Sequence, residues 1–424
     1  MIPKTKSNLL QRFPALGSRD YVLFVVGQLV SVIGTWMQAT ALPYLAYRIS
    51  GRPLDLGIIG FSNTLPTLLF ALPAGVLVEH WDKRKAVILF QAIMSVQAFG
   101  LAYLSFSGHI QIWHIVVLAF FYGSAVAVEV TARQAMLIEL AGREALPSAI
   151  ALQTTAFNLG RVLGPLCAAW IISATGNEGG VFLANGVSFL FVIAGLFLAR
   201  TRFKEPREIE KERNLRGEFS EGLAYLRRNS SVLSVTLMAA LVGFFGIPLV
   251  QQVPALARDV LATLADTEAM VAARTSNLYA AQGAGALVAA FLAAYLSSSD
   301  KNKMLSWGQV AFVIPILFLG FNRSIEFAYL LLAFIGWGTV TQLVSMNTLI
   351  QLQAPNELRG RVFSLYFWAL QGVAPFGSIF IGWIAQTWDV PTAAIAAGVI
   401  CLLGIGSIRL FFAQRRGING LTSG

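Results

Sequence analysis

Charge is what this chain has least of. Only 12% of its 424 residues are Asp, Glu, Lys or Arg, about half the ~25% of an ordinary soluble domain. So few charges cannot cover the surface of a water-soluble globule of this length, which excludes a string of two or three soluble domains. Cysteine is nearly absent as well. Cys167 and Cys401 both fall inside apolar stretches, so there is no disulfide framework and no mark of an oxidising compartment. The three histidines, His80, His109 and His114, show no metal-ligand spacing with cysteine or carboxylate partners, and neither a metal nor another cofactor is expected. No GxxxxGK[ST] loop is present to cradle a nucleotide phosphate. No intramembrane pair of nucleophile and base stands out either, so the chain is not expected to be an enzyme.

What is abundant is apolar. Hydrophobic residues make up 56% of the chain, the mean hydropathy is +0.67, and they cluster in long blocks. A helix needs about 20 mostly apolar residues to cross the ~30 Å hydrocarbon layer. Twelve blocks meet that length: 21–47, 54–78, 86–107, 111–135, 147–174, 180–199, 231–255, 275–297, 304–321, 326–350, 361–387 and 391–413. Lipid cannot satisfy free backbone amides and the blocks do not alternate like barrel strands, so they are predicted to be helices. The fold class is therefore an all-α membrane protein of twelve transmembrane helices. Pro66, Pro73, Pro248, Pro315 and Pro375 lie inside blocks, where neighbouring helices can satisfy the freed carbonyls. The basic first 20 residues precede a run too long for a signal-peptide core, without a cleavage site, so it is expected to remain as span 1.

The net charge of +10 would point a soluble protein toward nucleic acid, but here it is sided. With the N-terminus placed in the cytoplasm, 25 of the 31 Lys and Arg residues fall on the inner side. Five (Arg48, Arg52, Arg258, Arg274 and Arg323) fall outside, and Arg161 lies within a span. The positive-inside rule then puts both termini in the cytoplasm and supports an even number of spans in a cell (plasma or inner) membrane. Nucleic acid is not expected as a partner. Anionic lipid is an added attraction for the basic face.

One hydrophilic stretch divides six spans from six. The expected domains are an N-terminal six-helix bundle at 1–200, a cytoplasmic linker at 201–229 and a C-terminal six-helix bundle at 230–424. Residues Leu215–Arg228 could lie on the inner surface as an amphipathic helix or be part of a solvated linker. The halves echo each other: Leu137-Ile138 matches Leu349-Ile350 and Leu146 matches Leu358 at an offset of 212. Gly164-Pro165 matches Ala374-Pro375 at 210. Parallel six-helix halves around a midplane binding site are an established plan for secondary transporters.

Three motifs carry a resemblance to a known family. Gly75-Val-Leu-Val-Glu79-His-Trp-Asp82-Lys83-Arg84-Lys85 follows span 2 with a glycine, an acid and a basic cluster. Gly160-Arg-Val-Leu-Gly164-Pro165 occupies span 5, and the longer run from Ala132-Arg133-Gln to Gly164-Pro165 surrounds it. Together they resemble the major facilitator superfamily, in the branch of enterobactin exporters, macrolide-efflux proteins and transmembrane secretion effectors. Glu79 and His80 stand where that family more often has aspartate and arginine. The resemblance implies two pseudo-symmetric bundles working by alternating access, and the span 5 motif is associated with export. It also implies a seam between span 5 and span 8, with Gly283 and Gly285 facing Gly160 and Gly164. Small residues four apart share a helix face and permit close packing, and Pro165 loosens the helix beside them.

Candidate gating and coupling residues follow. Glu79 is placed to meet the N-terminus of span 11 near Gly360 and Arg361, where a helix end stabilises an anion by ~0.3–1 kcal/mol. Such a contact would latch the halves and release as they rock. Asp82, Lys83 and Arg84 extend this motif, although each cation is also plain orientation signal. Glu129 is four residues before Arg133, so it is either a protonatable group or a local ion pair. No carboxylate lies between Asp20 and Asp55 in span 1, where proton-driven drug exporters often carry one, so Glu129 or Asp20 would have to substitute.

Candidate binding residues are few because an ionisable group in the bilayer costs at least ~2.5–3.5 kcal/mol. Arg161 near the middle of span 5 is foremost, either lining a cavity or binding backbone carbonyls. Asn158 lies on the same face, and Gln153 lower on the helix. Uncharged candidates are Gln28, Thr35 and Trp36 in span 1, Gln282 in span 8, Trp337, Thr341 and Gln342 in span 10, and Trp368 and Gln371 in span 11. Together they suggest a mostly apolar pocket with scattered hydrogen-bond groups. The expected partners are a small amphiphilic organic substrate, protons and the lipid bilayer, and the protein is expected to act as a monomer. The expected function is proton-coupled secondary export. An importer or facilitator with the same fold, and a non-transporting sensor or scaffold, are the alternatives.

Overall fold

The computed structural model describes residues 13–201, 215–296, 299–355 and 357–421, and every regular element among them is helical. We label the membrane helices α1 (Arg19–Ser50), α2 (Pro53–Glu79), α3 (Lys83–Phe106), α4 (Ile112–Ala141), α5 (Leu146–Thr175) and α6 (Gly179–Leu198). The second set is α7 (Ser230–Val250), α8 (Glu268–Tyr295), α9 (Lys301–Phe321), α10 (Ile325–Gln353), α11 (Arg359–Thr387) and α12 (Val390–Leu421). Among the described residues, 11 of these are long and apolar enough to span a membrane. α2, with 27 residues, occupies the remaining predicted block. Most helices overshoot the apolar blocks by a few residues, because caps and turn residues belong to helices without being apolar. Asp82, Asn229, Thr267, Asp300 and Ser324 each accept a backbone N–H at the start of α3, α7, α8, α9 and α10. Gly142 and Gly176 close α4 and α5 at positive φ, where a side chain would be strained.

Large apolar side chains such as Val96, Trp170, Phe197, Trp307, Phe321 and Leu403 are exposed, a surface water would not tolerate and lipid requires. The molecule is a multi-pass membrane protein. It divides into two compact units, Met1–Leu45 with Pro66–Lys211, and Ala46–Leu65 with Glu212–Gly424. The end of α1 and the first half of α2 thus group with the later helices, and the second boundary, between Lys211 and Glu212, falls inside the expected linker at 201–229.

In the first unit, α3 packs along α4 and α6. α1 approaches α6 closely because a Cβ at Gly27 would lie 2.7 Å from the Phe191 carbonyl oxygen, and one at Gly195 2.8 Å from that of Leu23. A buried polar chain pins the same helices together. The Asn185 amide donates to Gln38 Oε1 at 2.9 Å, the Gln38 amide donates to Gln97 Oε1 at 3.2 Å, and the Ser188 hydroxyl donates to the Asn185 carbonyl at 2.7 Å. In hydrocarbon the alternative to such bonds is an unsatisfied amide. At the other end of α1 an apolar cluster of Tyr21, Phe24, Met136, Leu140 and Leu196 is sealed by Tyr21, whose hydroxyl donates to the Ala149 carbonyl at 3.0 Å.

In the second unit, α10 packs against α8 and α9. A Cβ at Gly285 would overlap the Ala333 carbonyl, and one at Gly336 the Gln282 carbonyl. Two predicted spans are not continuous. α7 carries a π-turn at Val242–Gly246, and a second π-turn follows at Leu256–Val260 beyond the turn at Gln251–Gln252. α11 breaks into Arg359–Gln371 and Ala374–Thr387, with Pro375 in the first turn of the second piece. The linker helix Leu215–Arg228 packs on α11, where Arg361 pairs with Glu221, and its Tyr225 hydroxyl donates to the Gln353 carbonyl at the end of α10 at 2.8 Å. The segment Ala46–Leu65 joins this unit through tight contacts. Gly57 lies against the Ser378 carbonyl, Phe61 meets Phe376 edge-on at 6.2 Å, and the Tyr47 hydroxyl donates to the Asp259 carboxylate.

Candidate functional site

The small-residue face of the span 5 motif lies against α1. A Cβ at Gly160 would lie 2.6 Å from Val32 Cγ1, and one at Gly164 2.9 Å from the Met37 nitrogen, with Trp36 against both. α1 and α5 thus meet through this face within the first unit. In the second unit Gly285 lies against the Ala333 carbonyl of α10. Removing two side chains from α5 lets the Trp36 ring lie on that helix. Arg161 then lies across the ring, its guanidinium carbon 5.1 Å from the centroid, and Phe157 meets the ring edge-on at 5.4 Å.

Arg161 has no carboxylate partner among the described residues, and its Nε is a buried donor without an acceptor. Trp36 Nε1 and Gln153 Nε2 are in the same condition, as is the acceptor Gln28 Oε1. Other candidates of this unit are committed. The buried Asn158 amide donates to the Thr154 carbonyl at 2.9 Å, and Thr35 hydrogen-bonds the Tyr122 hydroxyl, tying α1 to α4.

The buried Glu129 carboxylate on α4 accepts from Arg133 Nε at 3.0 Å and from the Gln91 amide of α3 at 2.9 Å. Both readings of its spacing meet here: a local ion pair, and a carboxylate deep in an apolar bundle. Gln91 had no sequence signal beyond being an amide in an apolar block. After α2, Asp82 caps α3, Lys83 pairs with Glu139 at 2.5 Å, and Arg84 donates to the Phe197 carbonyl at 3.3 Å near the C-terminus of α6. These cations thus bind helix ends within their own unit. The side chain of Glu79 lies outside the described residues.

In the second unit Gln282 and Thr341 are buried, and Trp337 and Gln371 are half-buried. Gln342 is fully buried, with neither amide atom partnered, while Trp368 is 48% exposed. Arg361 is engaged by Glu221 on the linker helix. Two polar contacts of this unit were not anticipated: Tyr47 with Asp259, and Arg409, which donates to the Ser306 hydroxyl at 2.8 Å and to Gln309 Oε1 at 2.5 Å. Among the described residues no group of three or more His, Cys, Asp or Glu could hold a metal ion.

Comparisons with known proteins agree with this architecture. The chain is 22% identical over 408 residues to the multidrug efflux pump Tap of Mycolicibacterium fortuitum, covering 94% of this chain and 97% of Tap. It is 23% identical over 389 residues to the enterobactin exporter EntS of Escherichia coli O1:K1 / APEC, covering 91% of this chain and 89% of EntS. The uncharacterized MFS-type transporter YfiS of Bacillus subtilis (strain 168) is 22% identical over 416 residues, with 92% of this chain and 93% of YfiS covered. A crystal structure of a POT family transporter in complex with 5-aminolevulinic acid superposes with a TM-score of 0.72 at 11% identity, covering 94% of this chain and 96% of that one. The family described as transmembrane secretion effector matches residues 14–417, nearly the whole chain, and with the twelve-block helical fold above, the chain belongs to this family of major facilitator transporters.

Proposed function

We propose that this protein is a secondary exporter that moves a small amphiphilic organic compound out of the cell by alternating access, driven by protons. The observation that carries the export direction is the end-to-end likeness to relatives named as an efflux pump and an exporter. Proton coupling is supported by Glu129, a carboxylate buried between α3 and α4. Its contacts with Arg133 and Gln91 tie any change at this carboxylate to the packing of α3 on α4. The sided distribution of Lys and Arg supports a plasma membrane location with both termini in the cytoplasm.

The test is uptake of fluorescent amphiphiles into everted vesicles with and without a proton gradient. Export predicts accumulation that collapses with the gradient; equilibration that ignores the gradient identifies a facilitator, and no movement of any compound leaves the sensor reading. Glu129→Gln keeps the shape and the Gln91 contact and removes the titrating group. It is expected to abolish gradient-driven accumulation while equilibration persists. Accumulation at wild-type rate in this variant would remove Glu129 from the mechanism.

A further inference from the structure

We infer that the α1–α5 face of the first unit is a receptor for an organic anion, with Arg161 and the Trp36 indole N–H holding the acidic group of an aromatic amphiphile. The inference rests on the transport reading only for the fate of the ligand. Arg161 is partnered by a ring face, which holds the guanidinium but does not neutralise it. Two buried donors of this pair lack an acceptor, Arg161 Nε and the Nε1 of the Trp36 ring it covers. A cluster of donors around an unneutralised cation calls for an acceptor that carries charge. Three carboxylates of this unit are engaged elsewhere: Glu129 by Arg133, Glu139 by Lys83, and Asp20 by the backbone of Arg200 and Thr201.

Position decides what kind of anion. Arg161 lies midway along the 30-residue α5, about 22 Å from the start of a helix about 45 Å long. A lipid phosphate sits at the membrane surface, so a solute fits this depth better than a headgroup. An unpaired guanidinium turned to acyl chains would be costly, which places this face against water or cargo. The exposed Phe157 and the Trp36 ring offer stacking area beside the donors, so an aromatic body suits the site. A single guanidinium suits one negative charge. Gly160 and Gly164 have a defined part here, since side chains at either would push Trp36 off α5.

Binding of tritiated 2-naphthoate to the purified full-length protein, with neutral 2-naphthamide as competitor, tests the assignment. The wild type is expected to prefer naphthoate by roughly tenfold or more, the scale of a charge-assisted hydrogen bond. Arg161→Gln should erase that preference, Arg161→Lys should retain part of it, and Trp36→Phe, which keeps a ring and loses the N–H, should weaken naphthoate several-fold and leave naphthamide unchanged. A merely structural clasp would lower both affinities together. Equal affinity of the wild type for the two probes, absence of naphthoate binding, or an intact preference in Arg161→Gln would overturn the proposal; so would displacement of naphthoate by 0.1 M chloride, which would identify a site for an inorganic anion. Should Arg161→Gln fail to fold, Arg161→Lys and Trp36→Phe carry the test. Naphthoate selectivity without gradient-driven transport would sink the export reading alone, and transport of neutral compounds without anion preference would sink this one alone.

Discussion

A single polar side chain in an apolar helix has two possible fates, and tertiary contacts choose between them. Gln38 is consumed by structure, donating to Gln97 and accepting from Asn185. Interhelical hydrogen bonds of this kind contribute on average ~0.6 and at most ~1.7 kcal/mol each. Gln38→Leu removes two and strands both partner amides, so we expect a loss of about 1–3 kcal/mol, read from denaturant unfolding in detergent. Unchanged stability would show that water replaces the chain. Arg161 stood out in the sequence because a lone cation in an apolar block must either line a cavity or bind carbonyls. Thr35 and Asn158 carried a weaker signal, since their partners, Tyr122 and the Thr154 carbonyl, depend on helix rotation and local back-bonding. Gln91 was invisible for the complementary reason: only the packing of α3 on α4 makes it the partner of Glu129.

At the scale of elements, glycine and proline positions were readable while their consequences were not. Gly160 and Gly164 announced a close approach, and the structure gives it to α1. Gly285 was named for a seam with span 5, and within its own unit it sits on the Ala333 carbonyl of α10. Gly285→Ala is expected to force the two helices apart and sharply reduce folded yield by size-exclusion chromatography. Gly100→Ala, with open space around its Cα, should match wild type. Equal yields would mean that α8 and α10 slide without cost. Pro248 and Pro375 were read only as tolerated inside their blocks, and both lie beside interruptions of α7 and α11. The π-turn at Val242–Gly246 also needs Gly243 against the Leu370 carbonyl and Gly246 against Phe312, contacts between segments distant in sequence.

For the molecule as a whole, Asp259 offers a pH test. It lies in the turn after α7, where it accepts from Tyr47 at the end of α1. Partial desolvation beside Tyr47 pushes the carboxyl of this surface-exposed residue above the ordinary value, against the lowering effects of the Tyr47 hydroxyl and the Arg258 charge. A raised acid destabilises the folded state once ionised. That cost is absent below the ordinary value of about 4, grows as pH rises through the folded value, and is complete above it. Asp259→Asn keeps an acceptor for Tyr47 without the charge, so it should melt higher than wild type at pH 8, with the advantage vanishing near pH 4. A wild type that melts higher at pH 8 would show that the hydroxyl and Arg258 outweigh desolvation.

The existence of twelve membrane-length blocks, their helical state and the sided charge were determined by sequence alone. Hydrocarbon cannot hydrogen-bond a backbone, so any apolar run of sufficient length has one solution. Which helix each small or polar face meets was decided only in three dimensions. Apolar side chains are interchangeable to lipid, and the free-energy differences that pair α1 with α5, or assign Ala46–Leu65 to the second unit, come from shape and from the few amides and carboxylates left to satisfy.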